Sequence, residues 1–129
     1  MAYGRTLTGF ALAVLAAGVV SAQSQAPSLP LGAGRPEVAG ITRTTLKDDA
    51  KSTVTRVHFK PGAAEPPHTH PYDVILVPDV DGTIDFSVEG GKTVTSVKSG
   101  EVQFVPKNTV HHLKNSGQRD FELIAIALK

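Results

Sequence analysis

The stretch "EPPHTHPYDVILVPDVDG", residues 65–82, decides how the rest of the chain is read. His68 and His70 sit one residue apart, just ahead of an apolar, β-prone run. Side chains on a strand alternate faces, so residues i and i+2 point the same way. Two imidazoles aimed side by side into one cavity make half of a metal site. A metal takes a third and often a fourth ligand, which the chain has to supply from elsewhere.

Outward from this stretch, from about Ile41 on, no segment has a helical period. Short alternating runs stand between turn residues instead: "STVTRVHF" before Lys60-Pro61-Gly62, "YDVILV" before Pro78-Asp79, and "GTIDFSV" before Glu89-Gly90-Gly91-Lys92. "TVTSV", "EVQFV", "VHHLKN" and the closing "FELIAIAL" repeat the pattern. Glycine accepts positive φ without steric penalty, so the Gly-Gly and Ser116-Gly117 stretches are tight-turn chemistry. About seven short strands without a helix predict an all-β jelly roll or small barrel.

The chain has five histidines: His58, His68, His70, His111 and His112. The last two lie in "GEVQFVPKNTVHHLKN", residues 100–115, where a strand breaks at Pro106, turns through Lys107-Asn108-Thr109 and re-enters at His111. With this stretch the sequence resembles a single-domain cupin. The family's first motif is G-x5-H-x-H-x3,4-E-x6-G, and Gly62, His68, His70 and Gly82 stand at matching spacings. Its second is G-x5-P-x-G-x2-H-x3-N, matched by Gly100, Pro106, His111 and Asn115. The resemblance implies a double-stranded β-helix, residues 41–129, in which His111 converges with His68 and His70 at one end of the barrel.

Two departures stand out. Asn108 replaces the second motif's middle glycine, a mild change because Asn tolerates the left-handed turn conformation. The first motif's glutamate is absent, since its place falls on Val74 or Ile75, both apolar. Asp73 is the nearest carboxylate, but its strand parity is opposite to that of His68 and His70, so it reaches the cavity only through a bulge. The alternative is a site of His68, His70 and His111 alone, as in some cupin dioxygenases. The competing expectation is a cupin that has lost its metal together with the glutamate. Three imidazoles suit a divalent transition metal: Fe, Zn, Mn, Ni or Cu. Binding requires neutral rings, so it is expected to fail below pH about 6. His58 and His112 are read as outward-facing. Gln103, Tyr72 and Asp73 are the nearest polar groups, and none is an obvious second catalytic residue.

At the N-terminus, "MAYGR" is a basic start and Phe10 to Val20 an uncharged apolar run, followed by small residues at Val20 and Ala22. This predicts a signal peptide, residues 1–22, for bacterial Sec-type export to the periplasm or outside the cell. The run falls short of the roughly 18 to 20 residues that span a bilayer, which disfavours an uncleaved anchor. Residues 23–40 are rich in Ala, Pro, Gly, Ser and Gln and read as a flexible or loosely docked arm. A formal charge of +1 and the lack of a basic run give no footprint for nucleic acid. There is no cysteine. A small exported domain without disulfides gains from burying a further apolar face, so a homodimer is expected. The expected partner is a small molecule, as substrate of a metalloenzyme or as ligand of a non-catalytic binding module. The reaction does not follow from the fold.

Overall fold

The computed structural model describes residues 26–129, and the expected signal peptide lies outside them. Nine strands follow in order: β1 (Ile41–Asp48), β2 (Ser52–Phe59), β3 (Ala64–His68), β4 (Asp73–Pro78), β5 (Gly82–Val88), β6 (Val94–Val97), β7 (Gln103–Val105), β8 (His111–Asn115) and β9 (Phe121–Leu128). They form a five-stranded sheet ordered β1-β2-β9-β4-β7 and a four-stranded sheet ordered β3-β8-β5-β6. All strand pairs are antiparallel. This is the expected jelly roll.

Alternation produces the sandwich directly. Along β9, Phe121, Leu123, Ala125 and Ala127 are buried while the residues between them face outward. Phe59 and Phe121 meet with ring centroids 6.1 Å apart, and Phe86 and Ile84 fill the core from the opposite sheet. The first motif's last glycine is required by this packing. A Cβ on Gly82 would lie 2.5 Å from the Phe121 ring, closer than any real side chain tolerates. Asn108, in place of the second motif's glycine, has φ 57° and takes the left-handed turn as expected.

Two strands escape the alternation rule. β1 is a Thr-rich edge strand with most side chains exposed, so it lacks an apolar stripe. β3 reads "AEPPH". Proline has no N–H to donate to a ladder, which a sheet tolerates only at edges and bulges, and β3 is both.

The expected flexible arm is, from residue 26 on, held against the barrel. Ser28 forms a parallel bridge with Thr69, Leu29 N donates to Thr69 O at 2.8 Å, and Thr69 N donates to Pro27 O at 2.9 Å. Leu31 is buried in the core, and its N–H donates to the Tyr72 hydroxyl at 2.8 Å. Composition gave no sign of this, because the arm docks by backbone hydrogen bonds and one apolar side chain.

Asn115, the last residue of the second motif, is buried and ties three segments together. Its Nδ2 donates to Phe59 O at 3.1 Å and Arg119 O at 2.8 Å, and its Oδ1 accepts from Gly117 N at 3.1 Å. Asn115→Ala is expected to lower stability by about 2–3 kcal/mol, because polar groups are left unpaired in a buried place. Urea unfolding measures it.

Candidate metal centre

His68 ends β3 and His111 opens β8, and the two are direct partners across the ladder, with ring centroids 4.2 Å apart. His70 follows one residue past β3 and lies 4.8 Å from His68 and 5.0 Å from His111 by the same measure. All three rings are buried. One ring nitrogen from each lies within 4.8 Å of the other two, a grouping that can hold a metal ion.

Backbone carbonyls fix which nitrogens are free. His68 Nδ1 is 2.8 Å from Pro66 O, His111 Nδ1 is 3.0 Å from Thr109 O, and His70 Nδ1 is 2.5 Å from Leu29 O. A carbonyl only accepts, so each neutral ring donates from Nδ1 and carries its lone pair on Nε2. This is the outer-shell arrangement that orients metal-bound histidines. The third of these carbonyls belongs to the arm.

A charged cluster closes the site. Glu65 pairs with Leu113 and His68 with His111, so three steps on β3 match two on β8. The extra residue of this bulge, across Pro66-Pro67, turns Glu65 to the same inner side as His68. Glu65 Oε2 accepts from Arg35 Nη2 at 2.8 Å, and Glu65 Oε1 is bonded to Arg43 Nη2. Arg35 Nη2 also lies 3.1 Å from His68 Nε2, and Glu65 Oε2 lies 3.5 Å from that nitrogen. Arg35 comes from the arm and Arg43 from β1. Leu31, Leu76, Phe86 and Leu113 line the rest of the cavity, whose volume is about 30 Å³. That holds one or two waters and no sizeable ligand.

Burial is the main influence on the imidazoles. It pushes His68 down to about 4 and His70 to about 3, and it lowers His111 as well; the hydrogen bonds to carbonyls oppose it only in part. Burial would raise Glu65, but the guanidiniums of Arg35 and Arg43 outweigh it and hold the carboxyl below its usual value.

An unfolded chain takes up protons on His68 and His70 near pH 6.5, whereas the folded chain does not until pH is near 4 at His68 and near 3 at His70. Their neutral burial therefore costs nothing above pH 6.5 and weakens the metal-free fold progressively between 6.5 and 4. The loss is expected to reach ~2 kcal/mol for each of His68 and His70 by pH 5. Melting of metal-free protein at stepped pH measures it. Proton competition for a metal moves down as well, so metal is expected to stay bound below the pH of about 6 that free imidazole implies. Metal content after gel filtration at pH 5.5 checks this.

The other residues singled out by sequence lie as follows. Asp73 stays outside the histidine group, since its Oδ1 caps the β7–β8 turn by accepting from Lys107 N at 2.9 Å. Val74 is fully buried on the inner face, while Ile75 lies on the outer face between Phe104 and Ile126. Tyr72 stacks on His70, with centroids 5.9 Å apart and planes 7° from parallel. Gln103 lines a separate surface cleft with Phe104 and Pro106. His58 faces out against Asp120 and Glu122, and His112 against Asp85. Arg35, Arg43 and Glu65 were not singled out. The consecutive prolines were the available signal for Glu65, since they mark a bulge that resets parity. For the two arginines the sequence held none.

Three neutral, carbonyl-anchored imidazoles, with one ring nitrogen of each within 4.8 Å of the others, fit a divalent transition metal without needing a carboxylate. His68, His70 and His111 would hold it.

The Cupin domain family matches residues 55–127. The chain is 37% identical over 76 residues to germin-like protein subfamily 2 member 1 of Arabidopsis thaliana, a match covering 57% of this chain and 35% of that protein. It spans about a third of the length of the germin-like relatives it matches. It is 27% identical over 96 residues to the beta-alanine degradation protein BauB of Pseudomonas aeruginosa, covering 74% of this chain and 98% of that one. Among solved structures, a cupin domain from Bordetella pertussis superposes with a TM-score of 0.62 at 25% identity, covering 73% of this chain and 98% of that one. A double-stranded β-helix domain protein from Klebsiella pneumoniae gives 0.62 at 23% identity, covering 73% and 81%, a likeness of fold.

Proposed function

The chain belongs to the cupin family, and on that premise we propose a small metal-binding cupin that acts on a small molecule through one divalent transition metal held by His68, His70 and His111. One observation carries this reading: each of the three buried rings donates from Nδ1 to a backbone carbonyl, which puts each ring's lone pair on Nε2, the one on His68 being free for an ion once Arg35 turns away. Such an ion supplies Lewis acidity and, if it is iron, copper or manganese, one-electron chemistry at open coordination positions. Asp73 takes no part. Metal analysis and spectroscopy of protein purified without a histidine tag test the reading. Less than about a tenth of an equivalent of any transition metal, after dialysis against Fe, Zn, Mn, Ni and Cu in turn, sinks it.

A dioxygenase-like reaction suits a redox metal in this setting. The second reading is a non-catalytic cupin that captures a small ligand. It is favoured by one feature: the acid lining the cavity, Glu65, has both oxygens engaged by guanidiniums and is poorly placed to move protons. A redox-inactive metal with reversible ligand binding and no turnover would select it.

Two further proposals concern the whole protein. Residues 1–22 direct export to the periplasm or outside the cell, and intact mass of the exported protein should place its first residue at or near Gln23. No helix among the described residues is long and apolar enough to cross a membrane. The chain forms a homodimer through the outer face of its larger sheet. Ladder register aligns Val54, Ile126, Ile75 and Phe104 in one row across β2, β9, β4 and β7, with Phe104 53% exposed. Light scattering at micromolar concentration should give a dimer mass, and Phe104→Glu a monomer. A monomeric parent refutes it.

A further inference from the structure

Residues 30–39 lie over the histidine group as a loop between two fixed points. At one end Leu29 N donates to Thr69 O, and Leu29 O accepts from His70 Nδ1. At the other, Gly40 O accepts from Lys60 N at 2.9 Å. Two side chains of the loop reach inward: Leu31, buried in the core, and Arg35, whose Nη2 lies 3.1 Å from His68 Nε2. Both line the cavity beside the imidazoles and leave it only about 30 Å³. A metal on His68 Nε2 needs Arg35 elsewhere, and anything larger than water needs the space that Leu31 fills. The two residues are four apart on one loop, so one displacement frees both.

The loop is held less firmly than the strands beneath it. Between Gly32 and Glu37 its backbone is bonded, among the described residues, by Arg35 N to Gly32 O at 3.3 Å, within the loop, and by Arg43 Nη1 to Pro36 O at 3.4 Å. The ties that keep it down are the Leu31 N–H on the Tyr72 hydroxyl, the Arg35–Glu65 ion pair and the Leu31 side chain. Few bonds and one buried apolar group belong to the segments of a fold that open locally, well before the whole unfolds. Gly34 and Gly40, with φ 86° and 77°, supply backbone freedom in the middle and at the base of the loop.

We propose that residues 30–39 are a lid hinged at Leu29 and Gly40, which withholds His68 Nε2 and fills the cavity when shut and admits metal and ligand together when open. Leu29 stays out of the movement, so His70 keeps its carbonyl anchor in the open form. The metal half of this rests on the three-histidine reading, whereas the lid is testable without metal.

The test staples the loop shut. The chain has no cysteine, so Gly32→Cys with Thr45→Cys allows a single disulfide within it. A Cβ on Gly32 would lie 3.7 Å from Thr45 Oγ1, close to the spacing of about 3.5–4.5 Å between the Cβ atoms of a disulfide. Metal-free protein is treated with diethyl pyrocarbonate, which acylates an imidazole at its unprotonated nitrogen, and each histidine is followed by mass spectrometry. With the disulfide formed, His68 and His111 are expected to react at least about tenfold more slowly than in the same protein reduced. Outward-facing His58 and His112 should react alike in both forms. Zinc uptake, followed with a chromophoric chelator, should slow with His68. Leu31→Ala combined with Arg35→Gln acts in the opposite direction and should speed the reaction of His68 by about tenfold or more. In the parent and in this variant the His68 rate should stay flat in low urea, because a lid movement exposes little surface, whereas global unfolding responds steeply. Equal His68 rates in the oxidised and reduced forms, or a His68 rate that climbs with urea as unfolding does, overturn the inference. Should the disulfide not form, the Leu31 and Arg35 variant decides, and a parent-like His68 rate in it is equally fatal. If neither form takes up zinc, the metal reading fails and the histidine rates still decide the lid.

Discussion

His111→Ala, purified without a histidine tag, is expected to bind its transition metal more than about a hundredfold more weakly than the parent, since loss of an outer-shell partner alone accounts for 10–100-fold. His111 is the cleanest of the three to remove. Its Nδ1 is anchored on Thr109 O in its own turn, whereas His70 is anchored on the arm and His68 touches Arg35. His112→Ala is the matched control. That ring faces outward towards Asp85 from the neighbouring position on β8, so metal content should stay at the parent level. Equilibrium dialysis against the preferred metal reads both. The opposite pattern, in which His112→Ala loses the metal and His111→Ala keeps it, would mean that the strand is one residue out of register.

Val74→Glu should have the second large effect, with opposite signs in the two states of the protein. Val74 is fully buried on the inner face of β4, at one of the two positions, Val74 and Ile75, where the first motif's glutamate would fall. Without metal, the new carboxylate is a buried charge, and the fold should lose about 3–5 kcal/mol. With metal bound, the charge is compensated and metal affinity should rise. The metal-induced shift in melting temperature therefore grows relative to the parent, since a ligand stabilises the folded state in proportion to its affinity. Ile75→Glu points outward and should leave that shift unchanged. If Val74→Glu leaves both affinity and shift where they were, its side chain does not reach the three imidazoles. A larger shift in Ile75→Glu would place the outer face at the site instead.

The two predictions rest on different kinds of legibility. Side-chain parity is local, so the shared face of His68 and His70 and the inward Val74 beside the outward Ile75 follow from spacing within one stretch. The strand pattern from β4 to β9 was equally open, because each strand there carries its own apolar alternation and turn residues. β1 and β3 were not, since an exposed edge strand has no apolar stripe and a proline pair breaks the rule by which strands are found. Convergence of His111 with His68 came from the resemblance, and ladder register supplies the physical account: the two are direct partners.

What the sequence by itself determined was therefore the fold class, the three histidines and the loss of the usual glutamate. Only the tertiary structure decided what surrounds them. The bulge at Pro66-Pro67 is defined by mismatch with β8, and it alone turns Glu65 inward beside His68. Arg35 and the Leu29 carbonyl reach the site because the arm pairs with Thr69, a contact between segments some forty residues apart. Parity and periodicity describe a segment relative to itself. A buried charge cluster is set by which backbones pair across the barrel, and that has no period to read.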